Sequence, residues 1–384
     1  MGLNSIFDAH SWAVVPFHFW SLCFFVFGCI VGSFLNVCIH RLPHGLSIVS
    51  PPSHCPHCKY SIPFYLNIPL VTWLWLGGRC RNCGAPIAVR YFLVELLTGL
   101  AFLGSWLKFG DPADPLPSIP IALVYAVFLA GLIVATFTDV EHLMIPDEIT
   151  FGGILAGFVV CFFWPQLQGA STRELGLAQS FLGAFAGAGT LYAIVRLGKL
   201  FFGRQKLKLD PGSKIVFSET AVFLEGKEVP YDEIFYRKSD RIILHARTLE
   251  LVDRSYKDVW VRLSPSSLQI GEEQLDPDDV ACMECVSAEV VLPREAMGLG
   301  DVKFLGAIGA FIGWKAVFFT LTIGTFIGSI YGMTMIALKR QTWSGRLYFG
   351  PFLAFAAALW VFEGRELIAW YQNLMQRLMS SWYQ

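Results

Sequence analysis

Two kinds of residue in this chain are spaced for chemistry: paired thiols and isolated acids. Cys55-x2-Cys58 and Cys80-x2-Cys83 stand 21 residues apart. Four thiolates in two such knuckles fill the corners of a tetrahedron around Zn²⁺. Cys55, Cys58, Cys80 and Cys83 are therefore read as a structural zinc site, with a redox dithiol pair as the rival. His54 and His57 flank the first knuckle and are read as neighbours of the metal or solvated side chains, not ligands. The acids are Asp139, in ATFTDVEHLMIPDEIT, and Asp301, in MGLGDVKFLG. Each sits at the end of an apolar run, where a carboxylate is costly and points to function. Two carboxyls sharing a site hold one proton between them. The ionised one then draws a proton from water for attack on a peptide carbonyl, and the neutral one hydrogen-bonds the carbonyl oxygen. Gly298 and Gly300 allow close backbone approach to an extended substrate, and Lys303 supports the same segment. On spacing alone Asp147 or Glu141 serves as well as Asp139. A helix N-cap at Asp301 with an interfacial acid at Asp139 also explains the pattern without catalysis.

The elements that must position these groups are membrane helices. The chain has 384 residues, 54% hydrophobic and only 15% charged, whereas soluble domains carry about a quarter charged residues. Of its 59 charged side chains, 31 lie in residues 201–297. This excludes a single soluble globule and leaves an all-α polytopic membrane protein with one soluble insert. A net charge of −1 gives no reason to expect nucleic acid as a partner. Apolar runs at 17–38, 91–108, 119–138, 149–165, 177–199, 301–314, 316–338 and 347–363 predict about eight spans. The run 301–314 is short and reads as a tilted or partly re-entrant helix. Basic residues alternate with the loops: Arg41, Lys59, Arg79, Arg81 and Arg90 follow the first span, and Lys339, Arg340 and Arg346 lie in 339–346. The positive-inside rule makes that side cytoplasmic, so the cysteine loop lies where disulfides are not expected. Both Asp139 and Asp301 fall at the same edge. The N-terminal tail is expected outside, with no cleaved signal peptide.

These residues resemble a known family, the bacterial type IV prepilin peptidases (leader peptidase/N-methyltransferases), which are GxGD-type membrane aspartic proteases. The matching stretches are GSFLNVCIHRLP (32–43), both knuckles, NIPLVTWLWLGGRCRNCGAPI (67–87), RYFLVELLTG (90–99), TDVEHLMIPD (138–147), GLGDVKFLGAIGAFIGW (298–314) and FGPFLA (349–354). They occur in family order over nearly all of the chain outside the insert. The resemblance implies a multi-pass protein of the bacterial inner membrane, with its active site and zinc loop at the cytoplasmic face. It implies cleavage of the short basic leader from type IV prepilins or pseudopilins, and N-methylation of the new terminus from S-adenosylmethionine. It selects Asp139 with Asp301 as the catalytic pair. The chain departs from the family pattern at Leu66, Phe92 and Leu347-Tyr348. Leu66 and Phe92 lie in the region associated with methyl transfer, where Glu95 is retained as a candidate cofactor-binding group. The alternative is a non-enzymatic zinc-ribbon scaffold or transporter with an acidic ion pathway.

The expected domains are 1–40 (first span), 41–90 (cytoplasmic zinc loop), 91–201 (spans two to five), 202–297 (the insert), 298–364 (spans six to eight) and 365–384 (an amphipathic tail). Alternating segments such as KIVFSETAVFLEG and DRIILHARTLELVD predict a small β-rich cytoplasmic domain. Two stretches align at an offset of 46, pairing Ser218 with Ser264, Leu224 with Ile270, Asp232 with Asp278 and Ile234 with Val280. The insert is a candidate contact for pilus or secretion assembly proteins. Its lone Cys282-x2-Cys285 reads as two unremarked thiols. Leu367, Trp370, Tyr371, Leu374, Leu378 and Trp382 recur at helical spacing in the tail.

Overall fold

The structure is a computed structural model that describes residues 16–202, 204–210, 212–224, 227–235, 240–293, 298–340 and 348–382. The expected external tail, Leu347 and the last residues of the 202–297 segment lie outside these. The chain divides into two compact units, residues 1–191 with 299–384, and residues 192–298.

The first unit is helical. Its long helices are α1 (Phe17–Arg41), α3 (Val89–Phe109), α4 (Pro115–His142), α5 (Asp147–Phe163), α6 (Arg173–Phe202), α8 (Leu299–Ile312), α9 (Trp314–Ala337) and α10 (Gly350–Trp382), with a short α2 (Val71–Trp75) in the cysteine loop. Five of them, α1, α3, α4, α6 and α9, are long and apolar enough to cross a bilayer. The other three fall short for different reasons. Helix α5 has 17 residues, and the apolar part of α10 is Gly350–Gly364. Helix α8 has 14 residues, about 21 Å, and every side chain from Phe304 to Ile312 is buried. A helix wrapped by other helices need not match the lipid thickness, which accounts for its length. The run stops at Gly313, whose φ of 85° separates α8 from α9.

Small residues set the packing, because dispersion rather than the hydrophobic effect drives helix association in lipid. An added Cβ at Gly28 would lie 2.7 Å from Cβ of Phe102, and one at Gly32 2.7 Å from Cα of Glu95. Gly183 faces the Gly309 carbonyl and Gly187 the Leu305 carbonyl in the same way. Ser180 Oγ and Gln168 Nε2 both donate to the Ala310 carbonyl, at 2.6 and 2.8 Å. Phe128 of α4 stacks on Phe311 of α8 at 4.8 Å. Helix α10 runs on from Gly350 to Trp382 without a break at 364.

The second unit holds one antiparallel sheet. Its strands are β1 (Arg204–Lys208), β2 (Lys214–Ser218), β3 (Ala221–Leu224), β4 (Lys227–Pro230), β5 (Ile242–Leu251), β6 (Ser255–Ser264), β7 (Ser267–Ile270), β8 (Glu273–Leu275), β9 (Cys282–Val286) and β10 (Glu289–Pro293), with a helical turn α7 (Tyr231–Ile234) after β4. The order is β4-β3-β2-β9-β5-β6-β7-β8, and β10 joins β1 to β5. Alternating residues such as Ile215, Phe217, Leu244, Leu249, Val261, Leu268 and Met283 fill the core. The 46-residue repeat is visible as two three-stranded meanders, β2-β3-β4 and β6-β7-β8. Each first turn is closed by a serine. Ser218 Oγ accepts from Ala221 N at 3.1 Å and Ser264 Oγ accepts from Ser267 N at 3.0 Å. Cys282 and Cys285 lie three apart on β9 and so point to opposite faces. Cys285 is buried, which pushes its thiol up to about 12.

Candidate active site

The cysteine knuckles are two copies of one turn. Cys55 N donates to the Tyr60 carbonyl and Lys59 N to the Cys55 carbonyl, both at 2.9 Å. Cys80 N donates to Ala85 at 2.8 Å and Gly84 N to Cys80 at 2.9 Å. Both turns need a left-handed residue at the same place, Lys59 at φ 58° and Gly84 at φ 70°. The two pairs then converge. Cys55 Sγ lies 3.8 Å from Cys83 Sγ, Cys58 Sγ lies 4.0 Å from Cys80 Sγ, and all four lie within 4.8 Å of one another. Sulfurs bound to one tetrahedral zinc at about 2.3 Å stand about 3.8 Å apart, so the cluster fits that ion. Asn82 Nδ2 donates to Cys58 Sγ at 3.6 Å, and this hydrogen bond is the largest cause lowering the Cys58 thiol to about 6. A thiolate is the form that binds metal. His54 and His57 are not in the cluster.

The acids come together from helices far apart in the chain. Asp139 lies in the last turn of α4 and is 7% exposed. Asp301 lies in the first turn of α8, next to Gly300. Asp139 Oδ2 accepts from Gly350 N, the first residue of α10, at 2.9 Å. A Cβ at Gly350 would stand 2.8 Å from that oxygen, so only glycine lets this backbone so near. Asp301 Oδ1 is buried and has no hydrogen-bond partner among the described residues. Helix α4 ends at Leu143, in the left-handed conformation, and the chain turns back so that Ile145 contacts both Gly300 and Gly350.

The rival acids are occupied. Glu141 pairs with Arg90, and Asp147 pairs with Lys303 Nζ at 2.6 Å. Among the described residues neither Asp139 nor Asp301 has a cation within ion-pair distance, so one environment holds two carboxyls that lack a counter-charge. Lys303 therefore serves Asp147 and also lies over Phe151 at 4.9 Å. Gly298 is exposed immediately before α8. Glu95 is buried on α3 with its Oε2 accepting from Leu70 N at 2.8 Å. Sequence reasoning gave Gly350 no role; the signal was a glycine before a proline at the head of an apolar run.

Comparison with known proteins bears on both sites. The bacterial peptidase A24 N-terminal domain matches residues 26–109, which hold all four cysteines. The type IV leader peptidase family matches residues 126–209 and 280–333, which hold both aspartates and leave out most of the sheet. A prepilin leader peptidase/N-methyltransferase of Myxococcus xanthus is 39% identical over 196 residues, 48% of this chain and 56% of that one. One of Aeromonas hydrophila is 26% identical over 385 residues, 93% of this chain and 95% of that one. A type 4 prepilin-like proteins leader peptide-processing enzyme of Escherichia coli O78:H11 is 35% identical over 221 residues, 53% of this chain and 76% of that one. No solved structure matches. The matched segments carry the acid pair and the thiol cluster alike, and the chain belongs to the type IV leader peptidase family.

Proposed function

We propose that this enzyme removes the short basic leader from type IV prepilins or pseudopilins, using Asp139 and Asp301 as a catalytic pair. The observation that carries this reading is the contrast among the four acids: Glu141 and Asp147 are neutralised by Arg90 and Lys303, whereas among the described residues Asp139 and Asp301 have no cation within ion-pair distance. A pair so placed shares a proton and titrates as a unit. Its charged member takes a proton from a water lying between the acids and the scissile carbonyl. Its neutral member donates to the carbonyl oxygen, stabilising the oxyanion that forms, and the proton then passes to the leaving amine. Gly350 N fixes Asp139 throughout. Gly298 and Gly300 leave room for the substrate backbone beside Asp301.

The same reading holds that all eight long helices lie in the inner membrane, with the thiol cluster and the acids at the cytoplasmic side; the loop charges support it. Cys55, Cys58, Cys80 and Cys83 would hold zinc, which would lock the two knuckles together. N-methylation of the new terminus is the second activity, suggested by the names of the Myxococcus and Aeromonas relatives. Its donor would be S-adenosylmethionine, which supplies the methyl group. The crevice between α1 and the thiol loop, lined by Ser33, Arg41, Ser53 and Asn67 among others, holds about 300 Å³, the lower end for a ligand of that size. Arg41 is already engaged by the Ser47 and Pro51 carbonyls, and Glu95 by Leu70, so no residue is assigned to the donor.

The test is cleavage of a reporter prepilin by membranes carrying wild type, Asp139→Ala or Asp301→Ala, with the product weighed by mass spectrometry. Loss in both variants is expected, with a further methyl group on the wild-type product when the donor is supplied. Cleavage surviving either substitution removes that acid from the mechanism.

A further inference from the structure

The thiol loop carries a set of large apolar side chains that the two sites do not use. Phe64 is 88% exposed and Trp75 72% exposed, and Tyr65, Ile68, Val71 and Leu74 are also exposed. They are not scattered. On α2, Val71, Leu74 and Trp75 stand at i, i+3 and i+4 and share one face. The opposite face is turned inward: Thr72 is buried, and the Trp73 ring packs at 5.2 Å on Phe92 of α3 with its Nε1 donating to the Ile87 carbonyl at 3.4 Å.

The depth of this segment is set by α3. Leu70 N is bonded to Glu95, six residues into a helix that is itself a candidate span from Val89. Six residues of helix are about 9 Å, so the start of α2 is held below the end of α3, and Trp73 reaches the Ile87 carbonyl at that end. Leu93 and Leu97, on the same stretch of α3, are exposed as lipid-facing residues are. Interfacial amphipathic helices bury their apolar face about 5–10 Å into the headgroup boundary, the same depth. Charge agrees. Residues 42–88 contain Lys59, Arg79 and Arg81 and neither Asp nor Glu, a composition that suits an anionic lipid surface.

We propose that residues 64–75 form an interfacial anchor that seats the thiol loop among the headgroups of an anionic bilayer, with Glu95 as the latch that holds it at that depth. The inference rests on the reading of α1 and α3 as membrane spans. It gives Glu95 a positioning task in place of the cofactor contact expected from sequence.

The experiment places the photo-cross-linking residue p-benzoylphenylalanine at position 64, 71 or 75 of the full chain, reconstituted in vesicles of phosphatidylethanolamine and phosphatidylglycerol. Position 93 on α3 serves as the lipid-facing reference, and position 252 of the second unit, where Val252 is 87% exposed, as the exposed reference. Lipid adducts at 64, 71 and 75 are expected roughly tenfold above those at 252 and comparable with 93. Glu95→Ala should lower the adduct at 75 and leave that at 93 unchanged. Adducts at 64, 71 and 75 no higher than at 252, with 93 strongly labelled, overturn the anchor alone. An unlabelled 93 overturns the span reading beneath it. Cross-links to added prepilin in place of lipid identify a substrate surface and also overturn the anchor. A yield at 75 that is unchanged in phosphatidylcholine vesicles removes the anionic preference.

Discussion

The thiol cluster and the acid pair are built in opposite ways. The four sulfurs come from 29 consecutive residues and converge through two copies of one turn, each closed by its own backbone hydrogen bonds. The two carboxyls stand 162 residues apart in the chain, and the helix ends that carry them are drawn together only by packing, through Gly350 on Asp139 and Ile145 against Gly300 and Gly350. One site is local, closed by its own short turns; the other is assembled by the whole helical unit. The difference predicts where each is fragile. A local site fails when its ligand is removed, and its failure stays nearby. An assembled site fails when any helix contact shifts.

The largest expected effect is on the thiol loop. Zinc sites of this kind carry an apparent binding energy of about 10–16 kcal/mol that is also folding energy. Chelation, or Cys80→Ser, should therefore release zinc and expose the amides of residues 55–60 and 80–85 to hydrogen exchange. Cleavage should persist, because no thiol touches the acids; its disappearance on chelation would break the comparison. Next come the acids. Asp301→Asn and Asp139→Asn should each lower kcat by about 10²–10⁴ with zinc content unchanged, read by steady-state kinetics and metal analysis. Gly350→Val sharpens the point, since it alters no chemical group of the pair. Its Cβ would press on Asp139 Oδ2, so cleavage should fall while the protein still inserts and binds zinc. Cleavage at the wild-type rate would sink the role given to the Gly350 N–H.

The sheet supplies a smaller and separate measure. Leu249 is fully buried in the strand core, and Leu249→Ala should destabilise that unit by about 2–5 kcal/mol, seen as a lower thermal midpoint. Ser264→Ala, which removes one turn-closing hydroxyl, should cost about 1 kcal/mol. Removing residues 205–292 with a short linker should leave cleavage unchanged; if cleavage is lost, the sheet matters to the acids after all.

How much was legible in the sequence follows the same division. The knuckle spacing alone named all four sulfurs, because everything that joins them is short-range. The eight apolar runs each correspond to a helix, and the serine pair at an offset of 46 marks equivalent turns in the two meanders. The acid pair was harder. Spacing left Asp147 and Glu141 as equals of Asp139, since no pattern in the chain shows that Arg90 reaches Glu141 or that Lys303 reaches Asp147. Gly350 was invisible for the same reason: a backbone N–H has no sequence signature, and its value appears only when α10 abuts α4. The opposed faces of Cys282 and Cys285 follow from strand geometry once β9 is known, not from their spacing. Five helices are long and apolar enough to cross a membrane, and the shortness of α8 has a cause that hydropathy does not register, its burial among other helices.

Helix α10 is 33 residues long, about 50 Å, and begins at the amide that holds Asp139. Lys108 grips it at Glu363 (3.5 Å) and Glu366 (3.1 Å), leaving arms of roughly 20–25 Å on either side. The two arms differ in kind: toward Gly350 the rod is mortised, with Leu353, Ala356 and Ala357 wholly buried, whereas beyond Glu366 it shows Trp370, Tyr371 and Met379 at its surface. The amide that holds Asp139 therefore sits at the clamped end of the rod.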